Sequence, residues 1–281
     1  MATYSVILRK GEKTARAHGM EASGIKLLLL HFSQKTPTEL YLDIDKEMPE
    51  TNQIAFFEGV DQYVINHRPV QYIMGYVSFY GYDFLVDETV LIPRFETEEL
   101  VANVLMQYDE VFSGQSVKLV DIGTGSGCLA ITFAKEEPKI EVTATDISEA
   151  ALLVAKHNAL RLDANITFIQ GDMLNPISDM KFDIIVSNPP YIPDDEVVAD
   201  IIKDNEPNIA LFGGVDGLKF YRIIIEEAQN ILNQRFIMAF EHGFDKAEEI
   251  RALAKKYYPS AKIFTIKDMQ NKDRMTFIVN K

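Results

Sequence analysis

The residues best suited to chemistry lie at 182–191, FDIIVSNPPY, where an apolar run breaks off at Ser187 and delivers Asn188, Pro189, Pro190 and Tyr191. Ile184, Ile185 and Val186 are β-branched with no polar residue between them, the pattern of a strand buried on both faces. Two prolines then stop the strand. Pro190 pushes Pro189 into an extended conformation, and neither proline donates a backbone hydrogen bond, so the main chain here is stiff and offers acceptors alone. The Asn188 side-chain oxygen and the Pro189 carbonyl are suited to accept both hydrogens of one planar NH2 group. Tyr191 supplies a ring to lie against that plane. Such an arrangement docks an amide or an exocyclic base amine, and Asn188, Pro189 and Tyr191 are the catalytic candidates, with Pro190 beside them in the substrate site. Asn-Pro-Pro is also an ordinary turn. Its place at the carboxyl end of a buried strand, where open α/β sheets bind ligands, is what marks a site.

A second cluster surrounds the glycine turn at 120–127, VDIGTGSG, where a strand runs into a helix. Gly123, Gly125 and Gly127 let backbone pass close to a ligand, and the whole turn, with Thr124 and Ser126, is read as cofactor-binding. Nicotinamide enzymes place a glycine turn at the same point. The Gly-x-Gly-x-Gly spacing and the later Asn-Pro-Pro-Tyr favour a different cofactor. Asp146 ends the next strand, where an acidic side chain accepts from both ribose hydroxyls, while Ser148 caps the helix that follows. Asp172 and Met173 follow the third strand; a carboxylate there suits an adenine amine and a thioether its ring, although Met173 equally suits core packing. Cys128 reads as a small buried helix residue with no base nearby to make it a nucleophile. S-adenosylmethionine fits this combination. Its sulfonium is an excellent leaving group, so the protein need only align the reacting atoms and exclude water. An amide nitrogen is a poor nucleophile, and holding both N–H bonds at Asn188 and Pro189 directs its lone pair outward as charge develops. No residue announces itself as general base.

These residues need a scaffold, and from residue 118 onward strands and helices alternate. Strands are expected at 118–122, 141–146, 166–170, 182–187, 236–241, 262–267 and 275–279. Helices are expected at 128–136, 149–161, 218–232 and 246–257, with a long polar loop from 188 to 216. Alternation of this kind means an α/β fold, a Rossmann-like, mostly parallel sheet covered on both faces. The last two strands have no helix between them, so the final one is antiparallel. Residues 1–74 carry helical periodicity instead, with one apolar stripe at Ile25, Leu28, Leu29 and Phe32 and a second read at Ile54, Phe57, Val60, Asp61, Val64 and Ile65. They form a small helical domain whose role is either packing or recognition of a large partner. A β-hairpin linker is placed at 75–96 and the catalytic domain at 97–281, opening on a helix near Glu98 capped by Thr97. Arg94 and Glu98 are read as a solvated pair at its entrance, second-tier site candidates.

Composition narrows the classes. Of 281 residues 47% are hydrophobic, enough for a core without staples; the single cysteine forbids an intrachain disulfide, and five histidines form no ligand-spaced cluster, so no metal is expected. The N-terminus lacks a cleavable apolar segment and the longest apolar run, 27–30, is far too short to cross a bilayer, so a cytoplasmic protein with no membrane partner is expected. A net charge of −14 is an unhelpful field for gripping phosphate backbones.

VLIPRFETEELV, DIGTGSGCLA, VSNPPYIP, EPNIALFGGVDGL, EHG and KDRM, in that order, resemble the bacterial release-factor glutamine methyltransferases, the PrmC/HemK family. The resemblance runs from about residue 68 to the C-terminus. It implies methyl transfer from S-adenosylmethionine to the side-chain nitrogen (N5) of the glutamine in the Gly-Gly-Gln loop of peptide chain release factors. It further implies that residues 123–127, Asp146, Met173 and Asn188 hold the cofactor, that 188–191 hold the glutamine, and that the helical domain grips the release factor. Phe95 and Glu96 stand where the family commonly shows Pro and Asp, which keeps the charge but loosens the backbone. Asn271 stands where Gly is common, and Asn is the next best residue for a left-handed turn. The alternative from another class is an N6-adenine-type nucleic-acid amino methyltransferase, which flips its base out of the stack and wants a basic surface around the pocket. A non-catalytic nucleotide-binding module leaves 188–191 without a role.

Overall fold

The computed structural model describes residues 2–281 and divides into two compact units, Met1–Tyr76 with Val198–Asn205, and Val77–Val197 with Glu206–Lys281.

The first unit is helical: α1 (Tyr4–Ala17), α2 (Ala22–Ser33), α3 (Pro37–Leu42), α4 (Glu50–Val64) and α5 (Val70–Met74). Local chemistry sets the starts, since the Thr3 hydroxyl accepts from Val6 N and Thr36 with Glu39 closes a capping box on α3. The expected stripe on α2 is buried at Ile25, Leu28 and Leu29. On α4 Val60 and Val64 of the expected stripe are buried and Phe57 packs against the core, whereas Ile54 and Ile65 are exposed and Phe56 and Tyr63 complete the buried face. Helix α1 escapes a hydrophobic count because its buried positions Tyr4, Ile7, Gly11 and Ala15 include a glycine and an alanine. A Cβ on Gly11 would lie 2.7 Å from Ile25 Cγ2, so helices α1 and α2 pack closely where the side chain is missing.

A two-stranded sheet follows, β1 (Tyr76–Phe79) and β2 (Tyr82–Leu85), turned by Tyr80 and Gly81 at φ 51° and 82°, the double left-handed turn that matches strand twist. The strands end at Leu85, and residues 86–94 run on without regular structure.

The rest of the second unit is the doubly covered sheet. In chain order it comprises α6 (Phe95–Phe112), β3 (Val117–Ile122), α7 (Cys128–Glu136), β4 (Ile140–Asp146), α8 (Glu149–Arg161), β5 (Ile166–Gln170) and β6 (Phe182–Ser187). The chain then passes through α9 (Asp200–Lys203), which belongs to the first unit, and returns to the second with α10 (Lys219–Glu227), β7 (Leu232–Glu241), α11 (Ala247–Tyr257), β8 (Lys262–Lys267) and β9 (Asp273–Asn280). Strand order is β5-β4-β3-β6-β7-β9-β8, parallel from β5 to β7, with β9 antiparallel to both neighbours. The uninterrupted apolar runs have the burial they require: Leu119, Ile184, Val186 and Ile237 enter one core, and Val120, Ile185 and Met238 the other, on opposite faces. Most sheet-domain boundaries fall within one or two residues of expectation, and two differ by four or more. Helix α10 ends at Glu227 and β7 begins at Leu232, not Phe236, because β7 starts on the exposed residues Asn233, Gln234 and Arg235, which carry no apolar signal. Within the polar loop the short helix α9 packs with the first unit, through Ile201 in its core and Asn205 donating to His67 O at 2.9 Å.

Candidate functional site

Connections leave β3 toward β4 and β5 on one side and pass to β6 and β7 on the other, which opens a crevice at the carboxyl ends of β3 and β6. Register levels the two ends, with Val120 opposite Ile185 and Asp121 opposite Val186, and the Ser187 hydroxyl donates to Ile122 O at 2.6 Å. A cavity of about 280 Å³ lies there, near the lower size that takes a drug-like ligand. Gly123, Gly125, Asp146, Met173, Asn188, Pro189 and Pro190 line it, all in the second unit. Asp172 lines it too, as do the segments Thr89, Val90 and Leu91 and Pro207, Ile209 and Ala210.

The glycine turn divides by function. Gly123 and Gly125 hold φ of 74° and 55°, and a Cβ at either would meet no heavy atom within 4 Å, so these two are glycine for conformation and face open space. Gly127 is glycine for packing as well, since its Cβ would lie 2.9 Å from Ile131 Cδ1 and 3.1 Å from Ala155 Cβ. Thr124 and Ser126 are buried and do not line the cavity; the Thr124 hydroxyl donates to Asp121 Oδ2 at 2.7 Å beneath the turn. Asp121 is wholly buried and burial pushes its carboxyl up to about 7, against the pull of that hydroxyl. Among the described residues Asp121 Oδ1, Ser126 Oγ and Thr145 Oγ1 have no hydrogen-bond partner.

Asp146 closes the turn from β4. Its Oδ2 accepts from Gly125 N and its Oδ1 from Ser148 N, both at 2.9 Å, and burial nevertheless raises its carboxyl above the ordinary range. Ser148 caps α8 by accepting from Ala151 N. Met173 sits in the left-handed region at φ 48°. Cys128 is buried in α7, and burial pushes its thiol up to about 12, which removes it as a thiolate.

The segment 188–191 is braced from behind. Ile192 N donates to Leu211 O and Gly213 N to Ile192 O, a short parallel bridge to the 211–217 segment. A Cβ on Gly213 would lie 2.5 Å from Pro190 O, and one on Gly217 2.2 Å from Tyr191 O. Glycine alone lets these backbones touch, a role carried by FGGVDG and visible beforehand only as part of a family motif. Tyr191 is half-buried, packs against the second core and does not line the cavity; burial pushes its phenol up to about 12.

Other supports were hidden in the sequence because their partners are remote. Asn158, fully buried on α8, donates to Leu85 O and Ser126 O and accepts from Leu85 N, tying hairpin and glycine turn together. Arg94 pairs with the buried Glu206 at 2.5 Å, not with Glu98, and Glu206 also accepts from Ile92 N. This ties together two of the segments that contribute to the cavity lining. Helix α6 begins at Phe95 with no side-chain cap, and Thr97 lies inside it, donating its hydroxyl to Glu241 Oε2 at 2.6 Å. At the last hairpin Asn271 holds φ 62°, the left-handed turn for which asparagine substitutes glycine.

Among the described residues no helix is long and apolar enough to cross a membrane. Residues 98–209 match the methyltransferase small domain family and residues 7–75 the PrmC N-terminal domain. The chain is 39% identical to the release factor glutamine methyltransferase of Bacillus cereus, over 92% of this chain and 93% of that one, and 34% identical to that of Staphylococcus aureus over 98% of each. Its fold is shared with a methyltransferase of Pyrococcus furiosus at TM-score 0.53 and 20% identity, covering 82% of this chain and 98% of that one. With near-complete coverage at these identities, and with both its N-terminal and methyltransferase regions matched, the chain belongs to the release factor glutamine methyltransferase family.

Proposed function

We propose that this chain transfers a methyl group from S-adenosylmethionine to the side-chain amide nitrogen of the glutamine in the Gly-Gly-Gln loop of a peptide chain release factor. The observation that carries the reading is one cavity bordered both by an open glycine cradle with Asp146 and Met173 and by Asn188, Pro189 and Pro190. The residues fit the cofactor: Gly123 and Gly125 leave space for a ligand against backbone, and each Asp146 oxygen keeps a lone pair beyond the one N–H it accepts. S-adenosylmethionine supplies, when bound, an electrophilic methyl on a sulfonium. The protein's part is placement. Asn188 Oδ1 and the Pro189 carbonyl hold the substrate NH2, the prolines keep those acceptors rigid, and Tyr191 stiffens the segment from the core side. Drawing on both N–H bonds loads electron density onto nitrogen as it attacks. The helical unit is the reading's candidate for gripping the release factor.

The test is incubation of the purified chain with methyl-labelled S-adenosylmethionine and, separately, unmodified release factor, tRNA, ribosomal RNA and DNA, with mass spectrometry of the product. Label on the Gly-Gly-Gln glutamine alone is the expected result; label on a nucleic-acid base would replace the protein substrate with the adenine-type reading. Asn188→Ala should abolish transfer while leaving S-adenosylhomocysteine binding within a few-fold.

A further inference from the structure

A side-chain amide is ambivalent: turned one way it accepts a substrate N–H, turned the other it presents its own NH2 and repels it. At Asn188 the surroundings decide. Its Nδ2 donates to Thr97 Oγ1 at 3.3 Å, and the Thr97 hydroxyl donates in turn to Glu241 Oε2 at 2.6 Å. The three residues come from the position just after β6, the first turn of α6 and the last position of β7. Thr97 and Glu241 are 2% and 1% exposed, so water does not compete for the link between them. A hydroxyl has a single hydrogen, and a carboxylate can only accept. Once Glu241 takes that hydrogen, the Thr97 oxygen can only accept from Asn188, so Nδ2 turns toward Thr97 and Oδ1 is left for the substrate.

We propose that Glu241 is a positioning residue for methyl transfer, acting through the Thr97 hydroxyl to hold the Asn188 amide with its oxygen toward the substrate NH2. The inference rests on the reading of Asn188 as the amide dock. Several charged or titratable groups face Glu241. Arg274 comes from β9, Arg94 and Glu96 from the start of α6, Tyr191 from behind the site, Tyr221 from α10 and Cys128 from α7. Tyr221 is committed elsewhere, donating its hydroxyl to the Glu241 main-chain oxygen at 2.7 Å. Burial pushes the Glu241 carboxyl up to about 7, opposed by the Thr97 hydroxyl and the two arginines. Below that pH the protonated acid carries its own O–H, which can donate to Thr97. The Thr97 hydrogen is then free to turn toward Asn188 Oδ1, and the amide loses its fixed sense.

The experiment compares Glu241→Gln, Thr97→Val and Thr97→Ser with wild type, using the full chain, unmodified release factor and S-adenosylmethionine, with S-adenosylhomocysteine affinity measured by calorimetry. Glutamine in place of Glu241 can donate where the carboxylate only accepts, and valine removes the relay without changing its shape. Each should lower kcat by about tenfold to a hundredfold, the scale of one misdirected buried hydrogen bond, with S-adenosylhomocysteine affinity kept within about twofold. Thr97→Ser keeps the hydroxyl and should recover most of the rate. The double variant should lose no more than either single one, because the two act as one unit. Wild-type kcat should rise with pH and level off above about 7, a limb absent in Glu241→Gln. Nuclear magnetic resonance of the free protein gives a readout independent of turnover: the Asn188 side-chain NH2 should titrate near pH 7 in wild type and not in Thr97→Val. Wild-type kcat and an intact pH limb in both Glu241→Gln and Thr97→Val would overturn the inference alone. A wild-type chain that leaves the release factor unlabelled would overturn the proposed function, while the resonance titration would still decide the relay.

Discussion

Three glycines separate two reasons for being glycine, and only one of those reasons bears on the site. Gly81 has φ 82° and a Cβ there meets nothing within 4 Å; alanine at this hairpin turn brings backbone strain and no collision. Gly213 has no positive φ, yet its Cβ would lie 2.5 Å from Pro190 O, 2.9 Å from Gly217 O and 2.9 Å from Tyr191 Cα; alanine there brings collision and no strain. Gly217 has both, with φ 73° and 2.2 Å to Tyr191 O. The left-handed conformation costs a non-glycine residue about 1–2 kcal/mol. Contacts under 3 Å with backbone cannot be relieved by a rotamer change, so at 213 and 217 the segment 188–191 itself must move. A shift of several tenths of an ångström in Pro190 or Tyr191 displaces the Pro189 carbonyl, and misplacement on the order of 1 Å costs about a hundredfold in rate. Urea unfolding and methyl transfer, measured on Gly81→Ala, Gly213→Ala and Gly217→Ala, should part accordingly. Gly81→Ala should lose about 1–2 kcal/mol of stability and keep its kcat. Gly213→Ala should lose kcat by tenfold or more, roughly, for a smaller stability loss than Gly217→Ala, which should suffer both. Neither 213 nor 217 lines the cavity, so S-adenosylhomocysteine affinity should change little in any of them. Wild-type kcat and KM in a folded Gly213→Ala would refute the claim that these glycines set the position of the substrate acceptors.

Two further outcomes follow from buried charge. A carboxyl moved from its ordinary 3.8 up to about 7, as at Asp121, favours the folded state most when protonated. Its contribution is therefore fully present below about pH 4 and is lost as pH rises through 7, a swing on the order of 4 kcal/mol. Relative to wild type, Asp121→Asn should thus gain stability in urea melts between about pH 5 and pH 8, and a flat difference would contradict it. Arg94→Ala leaves Glu206 buried at 2% side-chain exposure without its cation; a fully buried pair would cost about 3–5 kcal/mol, and with Arg94 one-third exposed about half that is expected. S-adenosylhomocysteine affinity should weaken with it, because Pro207, Ile209 and Ala210 form a cavity wall, and Glu206→Gln in the same chain should return part of both losses.

Residues 128–136, 149–161, 166–170, 182–187 and 262–267 have the boundaries that pattern and turn chemistry assign them, because each is marked at both ends by glycine, serine, asparagine or a charge. That Gly123, Gly125, Asp146, Met173, Asn188, Pro189 and Pro190 gather around one cavity was likewise legible, since each stands near a strand end where the fold class puts ligands. What escaped has one physical character. Thr97 with Glu241, Arg94 with Glu206, and Asn158 with Ser126 and Leu85 are polar links across 144, 112, 32 and 73 residues. An apolar face announces itself by repetition along one element, whereas a buried polar group is satisfied once, by a partner anywhere in the chain. Thr97 shows the consequence: beside Glu98 and Glu99 it carries every local sign of a helix cap, and its hydroxyl is instead spent on a carboxylate that only the closed sheet brings within reach. Such a group pays its burial by making the one hydrogen bond that the tertiary fold offers, and at Asn188 that bond also decides which atom meets the substrate.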